Sequence, residues 1–208
     1  MRWVIGIDEV GRGALAGPVV AAAAMVAVDN SGRILHAPFR GLKDSKKLTS
    51  KQREDWVRYF ENQAIIQFAT ARVYPRGVEK LNISGAANKA ALRAYIQLSK
   101  TYHLSLKTPI FLDGGLFLGN KIRQKQEQKT AKSMPKADEK IPAVAAASIV
   151  AKVTRDRFML RLAKQYPEYG FEIHKGYGTK AHFRAIEKYG PSDAHRLTFL
   201  RKKSIISG

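Results

Sequence analysis

Trp3-Val4-Ile5-Gly6-Ile7-Asp8-Glu9-Val10-Gly11-Arg12-Gly13 is the stretch whose reading decides the fold. Its opening residues form a short apolar run, the pattern of a buried strand. Two carboxylates follow side by side, and then a glycine-rich segment that runs on to Gly17-Pro18. Such segments mark the turn after a strand, and glycine lets main chain come close to a ligand. The run therefore brings two acids to the edge of a core, next to backbone suited to binding. Neighbouring residues of a regular strand point to opposite faces. Asp8 and Glu9 are thus expected to share a site only if the strand ends or bulges there.

Working outward, residues 2–8 and 18–28 read as strands, and Asp29-Asn30-Ser31-Gly32 as a turn. Arg33-Ile34-Leu35-His36 would then pair with the second strand. Lys43 to Leu48 is a polar loop, and Thr49 or Ser50 caps a helix with Trp56, Val57 and Phe60 on one face. Another strand is expected over 64–74, and a helix over 84–102 whose Ala87, Ala90, Ala91, Ala94 and Ile96 make a small-residue pattern. Thr108 to Asp113 is a strand ending on a carboxylate, followed by Gly114-Gly115. Residues 121–136 are lysine-rich without apolar periodicity and read as a mobile loop or basic hairpin. Pro142 opens an alanine-rich helix that runs to about Ala163, since the missing N–H of proline costs nothing in a first turn. Tyr166 to Gly170 breaks that helix, a further helix covers 179–189 before Gly190-Pro191, and the basic tail from His195 to Lys203 is helical. There is no internal repeat or interdomain linker. The expectation is a single α/β domain over 1–208, with a mixed central sheet flanked by helices and a small helical C-terminal part over about 165–208.

Lys and Arg number 37 against 17 Asp and Glu, a net charge of +20. That excess implies a polyanionic partner, whose phosphates it would neutralise. No basic amphipathic helix favours a membrane surface over nucleic acid. With no cysteine, disulfides, zinc–thiolate sites and thiol catalysis are excluded. No apolar run reaches the ~18 residues of a membrane span, and no signal-peptide pattern precedes the first strand. The expected location is cytoplasmic.

In so basic a chain, acids at strand ends need a reason. Asp8, Glu9 and Asp113 each follow an apolar strand, and ligands gather at strand ends in α/β sheets. Hard carboxylate oxygens suit Mg2+ or Mn2+. Two such ions ~4 Å apart can activate water and stabilise a leaving oxygen in phosphodiester hydrolysis. Asp138 and Asp156 compete for a fourth position, and spacing does not choose between them. Asp138 could instead serve the dipole of the following helix, and Asp156 could pair with a neighbouring Arg or Lys. His174, His182 and His195 are available for proton transfer, but each reads better as a hydrogen-bonded structural residue.

At this point the chain closely resembles ribonuclease HII over nearly its whole length. The resemblance lies in Ile7 to Gly13, in Gly17 to Ala23, in Leu42-Lys43-Asp44-Ser45-Lys46-Lys47-Leu48 and in Leu81-Asn82-Ile83. It continues in Leu112-Asp113-Gly114, in Ile141 to Arg157 and in Gly176-Tyr177-Gly178-Thr179. It implies a ribonuclease H-like fold and metal-dependent hydrolysis of RNA in RNA–DNA hybrids. It also implies nicking on the 5′ side of ribonucleotides embedded in duplex DNA, leaving 3′-hydroxyl and 5′-phosphate ends, in the service of ribonucleotide and RNA primer removal. The implied metal-binding and catalytic acids are Asp8, Glu9, Asp113 and Asp138, with Asp138 preferred because the family's fourth acid precedes the alanine-rich helix. Two divalent ions, Mg2+ or Mn2+, are the implied cofactors. Gly11, Arg12 and Gly13 would read the ribose 2′-hydroxyl, the group that marks RNA, and Tyr177 would stack on the sugar of the next deoxynucleotide. Lys43, Ser45, Lys46, Lys47, Lys175 and Thr179 would contact phosphates. The sequence departs from the family in Gly114-Gly115, in the long lysine-rich stretch before Asp138 and in Lys136-Ala137-Asp138. A monomer acting on hybrid or ribonucleotide-containing duplex is expected. The sister ribonuclease HIII typically carries an additional N-terminal domain, which a catalytic strand starting at residue 2 argues against. A non-catalytic basic RNA-binding protein would leave the strand-end acids unexplained.

Overall fold

The structure, a computed structural model, describes residues 2–31, 34–35, 42, 47–105, 107–119 and 131–201. Lys43, Ser45, Lys46 and most of the 121–136 segment lie outside the described residues. Five strands form one mixed sheet in the order β3-β2-β1-β4-β5. They are β1 Arg2–Val10, β2 Val19–Val28, β3 Ile66–Val73, β4 Ile110–Asp113 and β5 Ala131–Met134. β2 pairs antiparallel with β1 and β3, while β4 runs parallel to both β1 and β5. The end of the 121–136 segment is therefore neither loop nor hairpin: Ala131–Met134 is an edge strand in register with Ile110–Asp113. Alternation gave no hint of it because an edge strand of four residues, Ala-Lys-Ser-Met, buries too little to be patterned. The expected third strand survives as a short contact, with Ile34 bridging Val28.

The helices are α1 Ser50–Glu61, α2 Pro75–Tyr102, α3 Ala137–Lys140, α4 Pro142–Gln165, α5 Phe171–His174, α6 Lys180–Tyr189 and α7 Leu197–Arg201. Thr49 caps α1 reciprocally with Gln52. α2 begins well before the expected residue 84 but is interrupted at Asn82, whose φ is 57°. The Asn82 side chain accepts the Gly85 N–H at 3.0 Å and so caps the second part of the helix, the part legible in the sequence.

Small side chains set the thickness of the layers. On one face of the sheet Ile5, Ile7, Ala21 and Ala23 pack on Ala86, Ala87, Ala90, Ala91 and Ala94 of α2. On the other face Ala22, Ala24 and Val26 pack on Ala143, Ala145, Ala146, Ile149 and Val150 of α4, with α1 alongside. The approach is closest at Gly6, where a Cβ would collide with the main chain of Ala143 and Val144. A helix laid so close to a strand fixes its rotation, and with it every side chain that α4 points at the site.

A third core joins the C-terminal helices to the loop after β1: Leu15 and Ala16 pack with Met159, Tyr169, Phe171, Ile186 and Leu200. Beside it three buried histidines stand in contact. His174 stacks on His182 at 4.3 Å, and His182 Nε2 lies 3.0 Å from His195 Nε2. The tautomers follow from their partners. His182 Nδ1 faces the Tyr177 carbonyl and must carry a proton, so its Nε2 accepts from His195. His195 Nδ1 in turn accepts the Ser192 N–H, while His174 accepts the Gly176 N–H and donates to the Tyr169 carbonyl. The network is complete only while all three rings are neutral. Burial pushes His182 and His195 down to about 4, and lowers His174 as well.

Two outcomes test this account. Gly6→Ala should destabilise the fold by about 3 kcal/mol, read as a lower urea midpoint, because the added methyl meets main chain that cannot yield. The histidines' share of the folding free energy should also fall as pH drops from about 6.5 towards 4, since the unfolded histidines take up protons that the folded cluster refuses, whereas a carboxyl raised by burial, as at Asp8, works in the opposite sense. The change in unfolding free energy from pH 7 to pH 5, read by urea titration, should therefore be less favourable in wild type than in His195→Asn by about 1–2 kcal/mol. An equal change in both proteins would contradict the histidines' part.

Candidate active site

The site forms where β1 outruns one of its neighbours. Pairing with β2 continues without a bulge to Val10↔Val20, whereas pairing with β4 stops at Ile7↔Leu112. The strand therefore neither ends nor bulges at Asp8-Glu9, contrary to the condition set by the sequence. The two side chains leave from opposite faces, and a cleft of about 350 Å³ wraps around the uncovered edge to receive both. Asp8 lies on the α4 side, where Ser148 hydrogen-bonds it. Glu9 lies on the α2 side and forms an ion pair with Arg12 at 2.9 Å, while Arg12 also donates to Ser84 on α2 at 3.3 Å.

Asp113 and Asp138 line the same cleft. Asp113 closes β4, and its Oδ1 accepts the Ala137 N–H at 2.9 Å. That bond docks the single turn of α3, which begins after Lys136 in the left-handed conformation (φ 55°) and presents Asp138, only 2% exposed. Asp156 has a different place: Lys152 holds one of its oxygens at 3.0 Å and Arg53 stands 4.0 Å from the other, and it does not line the cleft. The structure thus brings Asp138 to Asp8, Glu9 and Asp113, and leaves Asp156 in an ion-paired group behind them.

Such crowding of acids is costly. Burial, reinforced by the charges of Glu9 and Asp113 and opposed by the Ser148 hydrogen bond, pushes Asp8 up to about 8. Burial raises Glu9 too, against the pull of Arg12. Glu9 Oε2 is buried and accepts no hydrogen bond. Among the described residues no three potential ligands are drawn together tightly enough to hold a metal ion in this arrangement. The local bonds account for the spread, since Arg12 holds one oxygen of Glu9, and Asp113 is engaged by Ala137. The donor set nevertheless suits a hard divalent cation: all oxygen and mostly buried.

The expected reading elements stand beside the acids. Gly11 has φ 89° and faces Arg155 and the Pro18 carbonyl, so a Cβ would find no space there. Tyr177 lines the cleft with the Arg155 guanidinium 5.2 Å from its ring centroid. The Thr179 hydroxyl caps α6 by accepting the His182 N–H, and Lys47 is exposed. Arg53, Lys152 and Ser148 also line the cleft, and sequence reasoning singled out none of them. Ser148 did carry a signal, as the one hydroxyl within Ala145-Ala146-Ala147-Ser148-Ile149-Val150-Ala151. Arg53 and Lys152 carried none, being two among 37 basic residues.

Comparison with known proteins gives one answer. The family model for ribonuclease HII matches residues 5–202. Ribonuclease HII of Bacillus cereus (strain B4264) is 43% identical over 207 residues, which is 99% of this chain and 72% of that protein. The ribonuclease H2 of Pyrococcus horikoshii OT3 superposes with a TM-score of 0.69 at 26% identity, covering 98% of this chain and 96% of that one. The fold is also that of Bst-RNase HIII in complex with Mn2+, with a TM-score of 0.72 at 24% identity, over 98% of this chain and 69% of that one. A match to the family model that begins at Ile5, inside the strand carrying the acids, and runs through the C-terminal helices leaves no ambiguity: the chain belongs to the ribonuclease HII family and is a ribonuclease H enzyme, an endonuclease of RNA–DNA hybrids.

Proposed function

We propose that the protein nicks duplexes on the 5′ side of a ribonucleotide, leaving 3′-hydroxyl and 5′-phosphate ends, and that it removes RNA primers and single ribonucleotides from DNA. The observation that carries this reading is the convergence of Asp8, Glu9, Asp113 and Asp138 on one cleft that also contains Tyr177. The four acids would hold Mg2+ or Mn2+, and a ribonuclease HIII of the same fold binds Mn2+. Bound there, divalent ions lower the pKa of the attacking water and stabilise the leaving 3′-oxygen.

The chain's own residues supply position. Ser148 fixes the rotamer of Asp8, and Ala137 that of Asp113. Arg53 and Lys152 present positive charge on the wall facing the acids, held in place by Asp156, and can draw a backbone phosphate into the cleft. Lys43, Ser45, Lys46, Lys47, Lys175 and Thr179 would contact further backbone phosphates. Gly11, Arg12 and Gly13 read the 2′-hydroxyl, while Tyr177 favours a following sugar that lacks one. Reading and cutting then act on adjacent nucleotides, because the loop that reads is the direct continuation of the strand that cuts. The protein acts as a monomer in this reading.

A DNA duplex carrying one ribonucleotide, incubated with Mg2+ or Mn2+, should be nicked 5′ to it, and Asp8→Asn or Asp113→Asn should abolish the cut. Ser148→Ala should slow it by about 10- to 100-fold, the usual cost of removing a partner that orients a metal-binding carboxylate. Tight binding without cleavage in either metal would overturn the reading. Tyr177→Ala should impair cleavage at the junction more than it weakens duplex binding, and an equal loss in both would make the tyrosine structural.

A further inference from the structure

Two guanidiniums lie wholly buried behind the loop that follows β1. Arg155 and Arg196 are both 0% exposed. Arg155 donates to the carbonyls of Ala16 (3.1 Å), Pro18 (3.0 Å) and Lys175 (2.9 Å). Arg196 donates to the Gly17 carbonyl through Nε (3.0 Å) and Nη2 (2.8 Å), and to the Arg12 carbonyl through Nη1 (3.0 Å). These bonds go to main-chain oxygens rather than carboxylates. Burial depresses both groups, Arg196 to about 9, with the Arg155 charge further opposing Arg196. Two like charges kept in so dry a place are a standing cost to the fold. Yet a planar fork that binds several carbonyls at once is what fixes a segment of main chain too irregular for a sheet or helix.

The bond to the Arg12 carbonyl has a geometric consequence. Among the described residues there is no cis peptide. In a trans peptide the C=O of one residue and the N–H of the next point in opposite directions. With the Arg12 oxygen drawn inward to Arg196, the Gly13 N–H is turned outward. Gly13 is exposed, and a Cβ there would meet nothing within 4 Å, so a ligand can come close to its main chain. Gly17 is gripped by the same guanidinium and donates its own N–H to the Ala194 carbonyl, so the far end of the loop cannot swing to release the peptide.

We propose that Arg196 is a positioning residue for ribose recognition, holding the Arg12 carbonyl inward so that the Gly13 N–H faces the 2′-hydroxyl of the ribonucleotide. The inference rests on the reading of Gly11-Arg12-Gly13 as the ribose reader given above. It adds the residue that orients the reader from outside it. Arg196 touches no substrate, and its effect passes through one peptide plane. Lysine cannot replace it, since an ammonium has no planar fork to hold Gly17 and Arg12 in fixed relation.

The test compares kcat and KM on a DNA duplex carrying one ribonucleotide with the inhibition constant of the all-DNA duplex of the same sequence. Wild type and Arg196→Lys are measured in the same Mg2+ buffer. The variant should raise KM about tenfold, the worth of one lost hydrogen bond, while the inhibition constant of the all-DNA duplex moves less than about twofold. A merely structural lesion lowers kcat through a smaller active fraction, or weakens both duplexes equally, and either result overturns the proposal. Should Arg196→Lys not fold, amide hydrogen exchange on the wild type without metal decides. The Gly13 amide should exchange fast in the free protein and be protected by the ribonucleotide duplex but not by the all-DNA one, and equal protection by both, or by neither, refutes the assignment. Failure of the underlying reading looks different: wild type itself would then bind the two duplexes alike.

Discussion

The close contact of α4 with β1 at Gly6 is the constraint on which the rest of the molecule depends. Helix α4 meets the strand through Ala143 and Val144, with no side chain between the two backbones. From that fixed point a helix rises 1.5 Å and turns about 100° per residue, so the placement of its later residues follows. Ser148 arrives at Asp8, Lys152 and Asp156 arrive at Arg53, and Arg155 reaches under the loop at Ala16 and Pro18. A larger residue at position 6 would push the helix outward and move all of these contacts together. The alanine faces of β2, α2 and α4 serve the same end, since small side chains keep both helical layers close to the sheet.

Electrostatics explain why so basic a protein keeps four acids in one cleft. The net charge of +20 draws a polyanion to the whole surface without choosing a bond in it. Choice requires a place where the phosphate's own charge is resisted unless something positive comes with it. The cleft that gathers Asp8, Glu9, Asp113 and Asp138 is such a place. Arg12 meanwhile holds Glu9 and balances part of the negative charge, which keeps the buried carboxylates from driving the strand end apart.

Much of this was legible in the sequence, for identifiable reasons. β1, β2 and β4 announce themselves because strands buried on both faces are continuous apolar runs, and the acids at their ends stand out against that background. Helix α4 was legible through Pro142 and its alanines, and α1 through Thr49. What escaped notice depends on tertiary context. β5 is an edge strand of mixed polarity whose partner lies some twenty residues earlier. The interruption at Asn82 is one residue's backbone angle, with no periodicity to reveal it. Asp8 and Glu9 share a cleft for a reason absent from local pattern: β4 stops pairing at Leu112 while β1 continues. That Asp138 lines the cleft while Asp156 is ion-paired outside it was likewise hidden, because Lys152 and Arg53 single out Asp156 only once α1 and α4 are packed side by side.

Arg155 and Arg196 show the same limit from the other side. Nothing in sequence separates them from the remaining basic residues, because what distinguishes them is burial. A surface arginine contributes to a diffuse field, whereas a buried one acts through direction. The loop from Gly11 to Pro18 has too many glycines to hold a shape by its own side chains, and it makes no continuous ladder with a neighbouring strand. Its carbonyls are instead distributed between two rigid forks, and the amides of Leu15 and Ala16 both go to the Gly176 carbonyl. The two loops that bear the proposed reading residues, one before Gly17 and one around Tyr177, are therefore tied into a single body by main-chain bonds. A ribonucleotide bound between them would meet groups already in place, so little of its binding energy would be spent on ordering the loops.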